Sequence, residues 1–120
     1  MKPLVGSDQV ISRSQLELTS DVMAHSLIYW VQDCLRSGLL DRGARIFALT
    51  SAGSARELPN YGPAGAAQAL LAAHIRQLAG ERAPAGTTAN AILARVDAPP
   101  PRRQKPKSEP STHTHKRVKP

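Results

Sequence analysis

Aromatic residues make up only 3% of the 120-residue sequence, and Cys34 is its single cysteine. One thiol excludes an internal disulfide framework and any zinc site built on paired cysteines, and it suits a reducing compartment, so the cytoplasm is the expected location. No apolar run approaches the ~18 residues that a bilayer-crossing helix needs, and Met1 to Leu18 carries no apolar signal core. Neither membrane insertion nor secretion is expected. Also lacking is any G-x-G-x-x-G or G-x-x-x-G-x-G run, the kind of turn that brings backbone amides against a pyrophosphate at a helix N-terminus.

What is there is unevenly distributed. The net charge of +7 suggests a polyanion partner until it is divided along the chain. Residues 1–97 carry nine Lys/Arg against eight Asp/Glu, whereas residues 98–120 carry seven Lys/Arg, one Glu and six of the ten prolines. A segment so poor in apolar residues cannot offset its ordering entropy by burial, so 99–120 is expected to be a basic, Pro-rich disordered tail. Seven cations are able to neutralise phosphates in a salt-sensitive way, but the tail has no aromatic residue to stack on bases. Nucleic-acid binding is therefore not expected, and would act only through the tail. Thr112-His113-Thr114-His115 offers two histidines, too few for a metal site.

The remainder is enough for one small domain, and a chain of this size buries well under ~70% of its unfolded surface. Residues 1–18 read as an irregular N-terminal segment. From Val22 the apolar positions Leu27, Trp30, Val31, Cys34 and Leu35 follow a helical period, with Thr19 or Ser20 as N-cap and Gly38 as stop. This predicts a helix over 21–37 with Cys34 as a core thiol. Ile46-Phe47-Ala48-Leu49 is apolar on both faces, as in a buried parallel strand. Residues 52–62 read as a loop, and Pro63 opens an Ala/Leu-rich helix over 63–81 with its stripe at Leu71, Ile75 and Leu78. After Pro84 to Gly86, residues 87–93 alternate as a second strand. Helix, strand, helix, strand is an α/β order, and two strands flanking a helix imply a parallel crossover. His25 and His74 are lone helical histidines without a partner at i+4, and read as surface or interface residues.

The order of features across Ile46 to Ala98 carries more than any single motif. A strand ends in Thr50-Ser51, a loop holds Gly53, Leu58 and Pro59, and Tyr61 precedes an Ala-rich helix. Arg76, Leu78, Ala79, Glu81, Ala83 and Pro84 then lead to Asn90-Ala91-Ile92. This arrangement resembles the second half of the short-chain dehydrogenases and reductases. It is closest to the enoyl-acyl carrier protein reductase branch, in which six residues rather than three separate the catalytic tyrosine from its lysine. The resemblance covers residues 20–98, about two thirds of the chain.

It implies a partial Rossmann-like α/β unit, with 19–98 as a truncated core that begins roughly where the family's first three strands would be complete. It also implies an NAD(P)-dependent parent reaction, the reduction of an enoyl- or oxoacyl-acyl carrier protein in fatty acid synthesis. The family's serine falls on Ser51 and its tyrosine, the general acid, on Tyr61. The lysine position is Gln68, and the asparagine position of the preceding helix is Met23. A neutral amide cannot depress a phenol's pKa as an ammonium does, so Gln68 reads as a degenerate cofactor contact and Ser51 with Tyr61 as a residual site. No cofactor is expected to bind, and the Pro-Gly pair and threonine that the family places after the N-A-I strand are absent from Leu93 to Ala98. The Ala-rich second helix and the helix before it form the family's dimer surface, which makes a homo-oligomer through 21–37 and 63–81 an expectation. The reading is a truncated, catalytically degenerate reductase-family protein. The alternative is a small anion- or nucleic-acid-binding protein acting through its tail.

Overall fold

The first helix starts earlier than its apolar stripe. Ser12 caps α1 (Arg13–Ser20): its hydroxyl accepts from the Gln15 N–H at 3.2 Å while the Gln15 side chain accepts from the Ser12 N–H, a complete capping box. This corrects the reading of 1–18 as wholly irregular and of Thr19 or Ser20 as the cap. Those two hydroxyls instead donate back to the carbonyls of Gln15 and Leu16, four residues upstream. The S-x-x-Q signature outweighs them because it satisfies two orphan N–H groups at once. The computed structural model describes residues 2–6 and 8–94. The basic tail and its histidine pair lie outside the described residues.

The helix continues through a π-turn, Asp21–His25, in which the Ser26 N–H reaches the Asp21 carbonyl, and then as α2 (Ser26–Arg36). It stops as expected at Gly38. With φ at 67°, Gly38 donates to Leu35 O, and the Leu39 N–H donates to Cys34 O, the paired closure of a Schellman motif. The π-turn inserts one residue into the helical count and re-aims the side chains of α2. The stripe that meets the core is Ala24, Leu27, Ile28, Val31 and Leu35. Trp30, expected within that stripe, is 70% exposed, and Cys34 is half-buried outside the core cluster. The closest packing against the next helix occurs at the π-turn, around the fully buried Ala24, where a small side chain lets backbones approach.

Strand β1 (Arg45–Thr50), helix α3 (Gly62–Arg82) and strand β2 (Thr88–Leu93) form one crossover. The strands pair in parallel, with Ile46 opposite Ala89 and Leu49 opposite Ile92. Pro63 sits buried in the first turn of α3, where its missing N–H costs nothing. The far end closes through a short 3-10 turn, Ala83–Ala85, to Gly86 at φ 71°. Leu71, Ile75 and Leu78 of α3 cover Ile46, Ala48 and Ala89, so the core lies between α3, one sheet face and the first helix. Among the described residues nothing packs over the other sheet face. Burial along β1 alternates, and Phe47 is 55% exposed. The expectation of a strand buried on both faces holds for one face only, because among the described residues α3 is the one layer packed on this sheet. No helix among the described residues is long and apolar enough to cross a membrane.

Candidate functional site

The C-terminal end of β1 and the N-terminal end of α3 meet through a short loop whose turns are set by composition. Ala52–Ser54 forms a 3-10 turn in which the Ser54 N–H and hydroxyl both donate to Ser51 O. Leu58-Pro59-Asn60-Tyr61 then reverses the chain. Its closing bond runs from the Tyr61 N–H to Leu58 O at 3.0 Å, and Asn60 stands at φ 57°. Proline second and an asparagine of positive φ third is the pattern of a type II turn. It delivers Tyr61 to the helix start, where the Tyr61 carbonyl accepts from Gly65 N at 2.8 Å.

Two glycines make room for the ring. A Cβ on Gly53 would collide with the Tyr61 ring and stand 2.8 Å from Gln68 Oε1, and one on Gly65 would stand 2.8 Å from the Gly53 carbonyl. Loop and helix therefore touch backbone to backbone, with Tyr61 packed beside the contact. Gln68, seven residues along α3, lies on the same face and is only 7% exposed. Its carbonyl oxygen accepts from Ser51 Oγ at 2.9 Å, and its Nε2 donates to the Tyr61 hydroxyl at 3.1 Å. Ser51, Gln68 and Tyr61 form one chain of neutral hydrogen bonds, running from strand end to helix start.

The structure thus brings together three of the four positions singled out by sequence. The fourth, Met23, is half-buried on the π-turn, and its thioether has no N–H or O–H to donate. Beside Tyr61 lies an open depression of about 410 Å³ whose rim includes Arg56, Glu57, Leu58 and Ala66. The Tyr61 hydroxyl accepts from Gln68, which leaves its own proton directed elsewhere. Chemically, the cluster can offer hydrogen bonds to a neutral polar group. It holds no fixed cation, and among the described residues no three His, Cys, Asp or Glu converge to hold a metal ion.

One pair was missed in the sequence. His25 Nδ1 and His74 Nε2 are 3.1 Å apart and part-buried, and their rings are 5.2 Å centre to centre. Burial, then the neighbouring His25, holds His74 below the ordinary histidine pKa of 6.5. Forty-nine residues of separation hide the pairing from any local pattern. The available signal was that His25 follows the helix's close-contact residue Ala24 and His74 precedes the core residue Ile75.

Comparison with known proteins bears on what the site descends from. Residues 3–116 match the family model described as enoyl-(acyl carrier protein) reductase. The NADH-dependent enoyl-[acyl-carrier-protein] reductase of Escherichia coli is 30% identical over 84 residues, 70% of this chain and 31% of that protein. The 1-cyclohexenylcarbonyl-CoA reductase of Streptomyces collinus is 43% identical over 54 residues, 45% of this chain and 19% of that one. Among solved structures, the NADH-dependent enoyl-[acyl-carrier-protein] reductase of Aquifex aeolicus superposes with a TM-score of 0.66 at 31% identity. That match takes in 73% of this chain and 35% of the other. The chain spans about a third of the length of these enoyl reductases.

Proposed function

The chain belongs to the enoyl-(acyl carrier protein) reductase family, and from that premise we propose that it is a member whose tyrosine site has become a catalytically inert hydrogen-bond network. The observation that carries this is the bonding of Gln68. Its carbonyl is taken by Ser51 and an N–H by Tyr61, at the position where the family pattern has lysine. An ammonium there would stabilise a developing phenolate by its charge, and an amide supplies no such charge. Proton transfer from Tyr61 to a reacting substrate is correspondingly weak at neutral pH, and proton delivery is one of the main contributions such a site makes to rate.

The same residues do not fit a nicotinamide dinucleotide. The amide at the family's lysine position is closed on its own neighbours, its carbonyl on Ser51 and its N–H on Tyr61. No step of hydride transfer is assigned to this chain. The parent reaction is the reduction of an enoyl-acyl carrier protein, which the names of the Escherichia coli and Aquifex aeolicus relatives specify. Self-association through the first helix and α3 belongs to the same reading. Val22, Tyr29 and Trp30 leave a largely exposed apolar surface along the first helix, of the kind that an isologous contact covers. A cytoplasmic setting suits the lone half-buried thiol.

Calorimetric titration of the chain with NADH and with NADPH tests the proposal. We expect no binding at or tighter than ~10 μM, a free energy of roughly 7 kcal/mol, and a tighter constant for either nucleotide sinks it. Gln68→Lys in this chain is expected to give no turnover of a crotonyl thioester with NADH, because holding both reactants is what makes the step fast. Turnover above buffer would show that the rest of the site is intact.

A further inference from the structure

We infer that His25 and His74 are a proton-operated latch between the first helix and α3: one N–H held between the two rings fastens the helices, and protonation of both rings releases them. The pair sits at the π-turn, where the first helix packs most closely on α3. Beyond it α2 makes few contacts with α3, and a groove of about 310 Å³ opens between them, lined by Ile28, Val31 and Leu35 from one side and by His74, Leu78 and Arg82 from the other. The core contact between these helices is apolar, and the 3.1 Å nitrogen contact is a polar tie set at its edge.

The chemistry rests on the nitrogens that meet. With both rings neutral, one donates N–H to the lone pair of the other. Adding one proton to the outer nitrogen of the donor ring keeps that bond and strengthens it by charge. Adding a second leaves two cationic N–H donors facing each other with no acceptor between them, and at this separation they repel and part. The charged groups nearby do not replace the missing acceptor. On the first helix Glu17 and Asp21 border a separate depression with His25. Glu17 is engaged by Arg13, and Asp21 by the Tyr29 hydroxyl, whose pKa that hydrogen bond raises, with smaller contributions from desolvation and the carboxylate's charge. On α3 the groove neighbours of His74 are Gln77, Glu81 and Arg82, with Glu81 bonded to Gln77. The charge acting on His74 is that of His25.

The direction with pH is fixed by this arrangement. In the folded chain His74 takes up its proton below the ordinary value of 6.5, whereas the unfolded chain takes it up at that value. The unfolded state therefore binds more protons as pH falls below 6.5, so the latch's stabilisation is complete above that pH and is lost below it. Imidazole ¹H–¹⁵N spectra of the 120-residue chain between pH 8 and 5, with His25→Gln and His74→Gln, test this directly. The His74 midpoint is expected below 6.5 in the parent and higher in His25→Gln than in the parent; an unchanged midpoint overturns the latch. Urea unfolding followed by far-ultraviolet circular dichroism adds the energetic arm. Acidification from pH 7.5 to 5 is expected to raise the unfolding constant more in the parent than in His74→Gln. Equal rises in both overturn it. Should neither variant fold, the parent's spectra decide: two coupled ring titrations support the latch, and two independent curves at the ordinary value refute it.

Discussion

The two faces of the β1–β2 ladder are made of similar residues and meet different environments. On one face Ile46, Ala48 and Ala89 are buried under Leu71, Ile75 and Leu78 of α3. On the other Phe47, Leu49 and Ile92 stand open, Leu49 at 72% exposure. Alternation along a strand sends successive side chains to opposite faces, so a run that is apolar throughout is written for a sheet covered on both sides. The difference teaches where this unit keeps its stability. It rests on α3 and the first helix, while the apolar residues of the bare face contribute little to the described fold.

That division is tested first where the effect is largest. Ile75 is 4% exposed and touches the covered face. Ile75→Ala removes three carbon atoms from a packed site and leaves a cavity, at a cost of about 2–5 kcal/mol. In a domain held by one helix layer this is comparable to the whole margin of stability, so cooperative loss of helical circular dichroism in urea should disappear. A cooperative transition with an unchanged midpoint would show that α3 is not what holds the sheet.

The loop carrying the candidate site should respond less, and for a different reason. Gly53→Ala adds one methyl where the Tyr61 ring and Gln68 Oε1 already stand. Neither is the free end of a flexible chain, since the ring is packed and the amide is bonded at both ends. Overpacking of this kind costs about 1–3 kcal/mol, and the expected result is a lower urea midpoint with the Tyr61 hydroxyl displaced from Gln68. Unchanged stability would mean that loop and helix do not meet as closely as the two glycines allow. Comparison with Ile75→Ala then separates a close backbone contact from a buried core.

Much of this was legible in the sequence because the signals were local. Pro63, the stripe Leu71, Ile75 and Leu78, Gly38 and the parallel order of two strands about α3 each follow from spacing and turn chemistry, and the structure has all of them. Three of the four site positions converge because turn and helix geometry carry Tyr61 and Gln68 to the end of β1. What escaped was set by tertiary contact or by competition between caps. The π-turn cannot be read from Asp21 to His25, and it turned the apolar stripe from Trp30 towards Ile28. Ser12 with Gln15 is a readable capping box, hidden because apolar periodicity begins only at Val22. The His25–His74 contact depends on which helix faces meet, and no spacing encodes that.

The smallest expected effect is the most discriminating one for the two faces. Leu49→Thr exchanges a large apolar residue for a smaller polar one on the same strand as Ile46 and Ala48. Threonine is β-branched and suits a strand, so backbone preference works slightly in its favour. The hydrophobic contribution scales with area removed from water, roughly 25 cal/mol per Å², and a residue that is 72% exposed has little such area to lose. Its hydroxyl points to solvent, which removes the desolvation cost that makes the same exchange expensive in a core. The stability of the dilute chain should therefore change by no more than about 0.5 kcal/mol, against several for Ile75→Ala. Urea midpoints measured at two protein concentrations at least tenfold apart supply the check. If Leu49→Thr costs as much as Ile75→Ala at the lower concentration, the face is covered within the chain itself. If the cost emerges only at the higher one, a second copy covers it, and the contrast between the two faces belongs to the monomer alone.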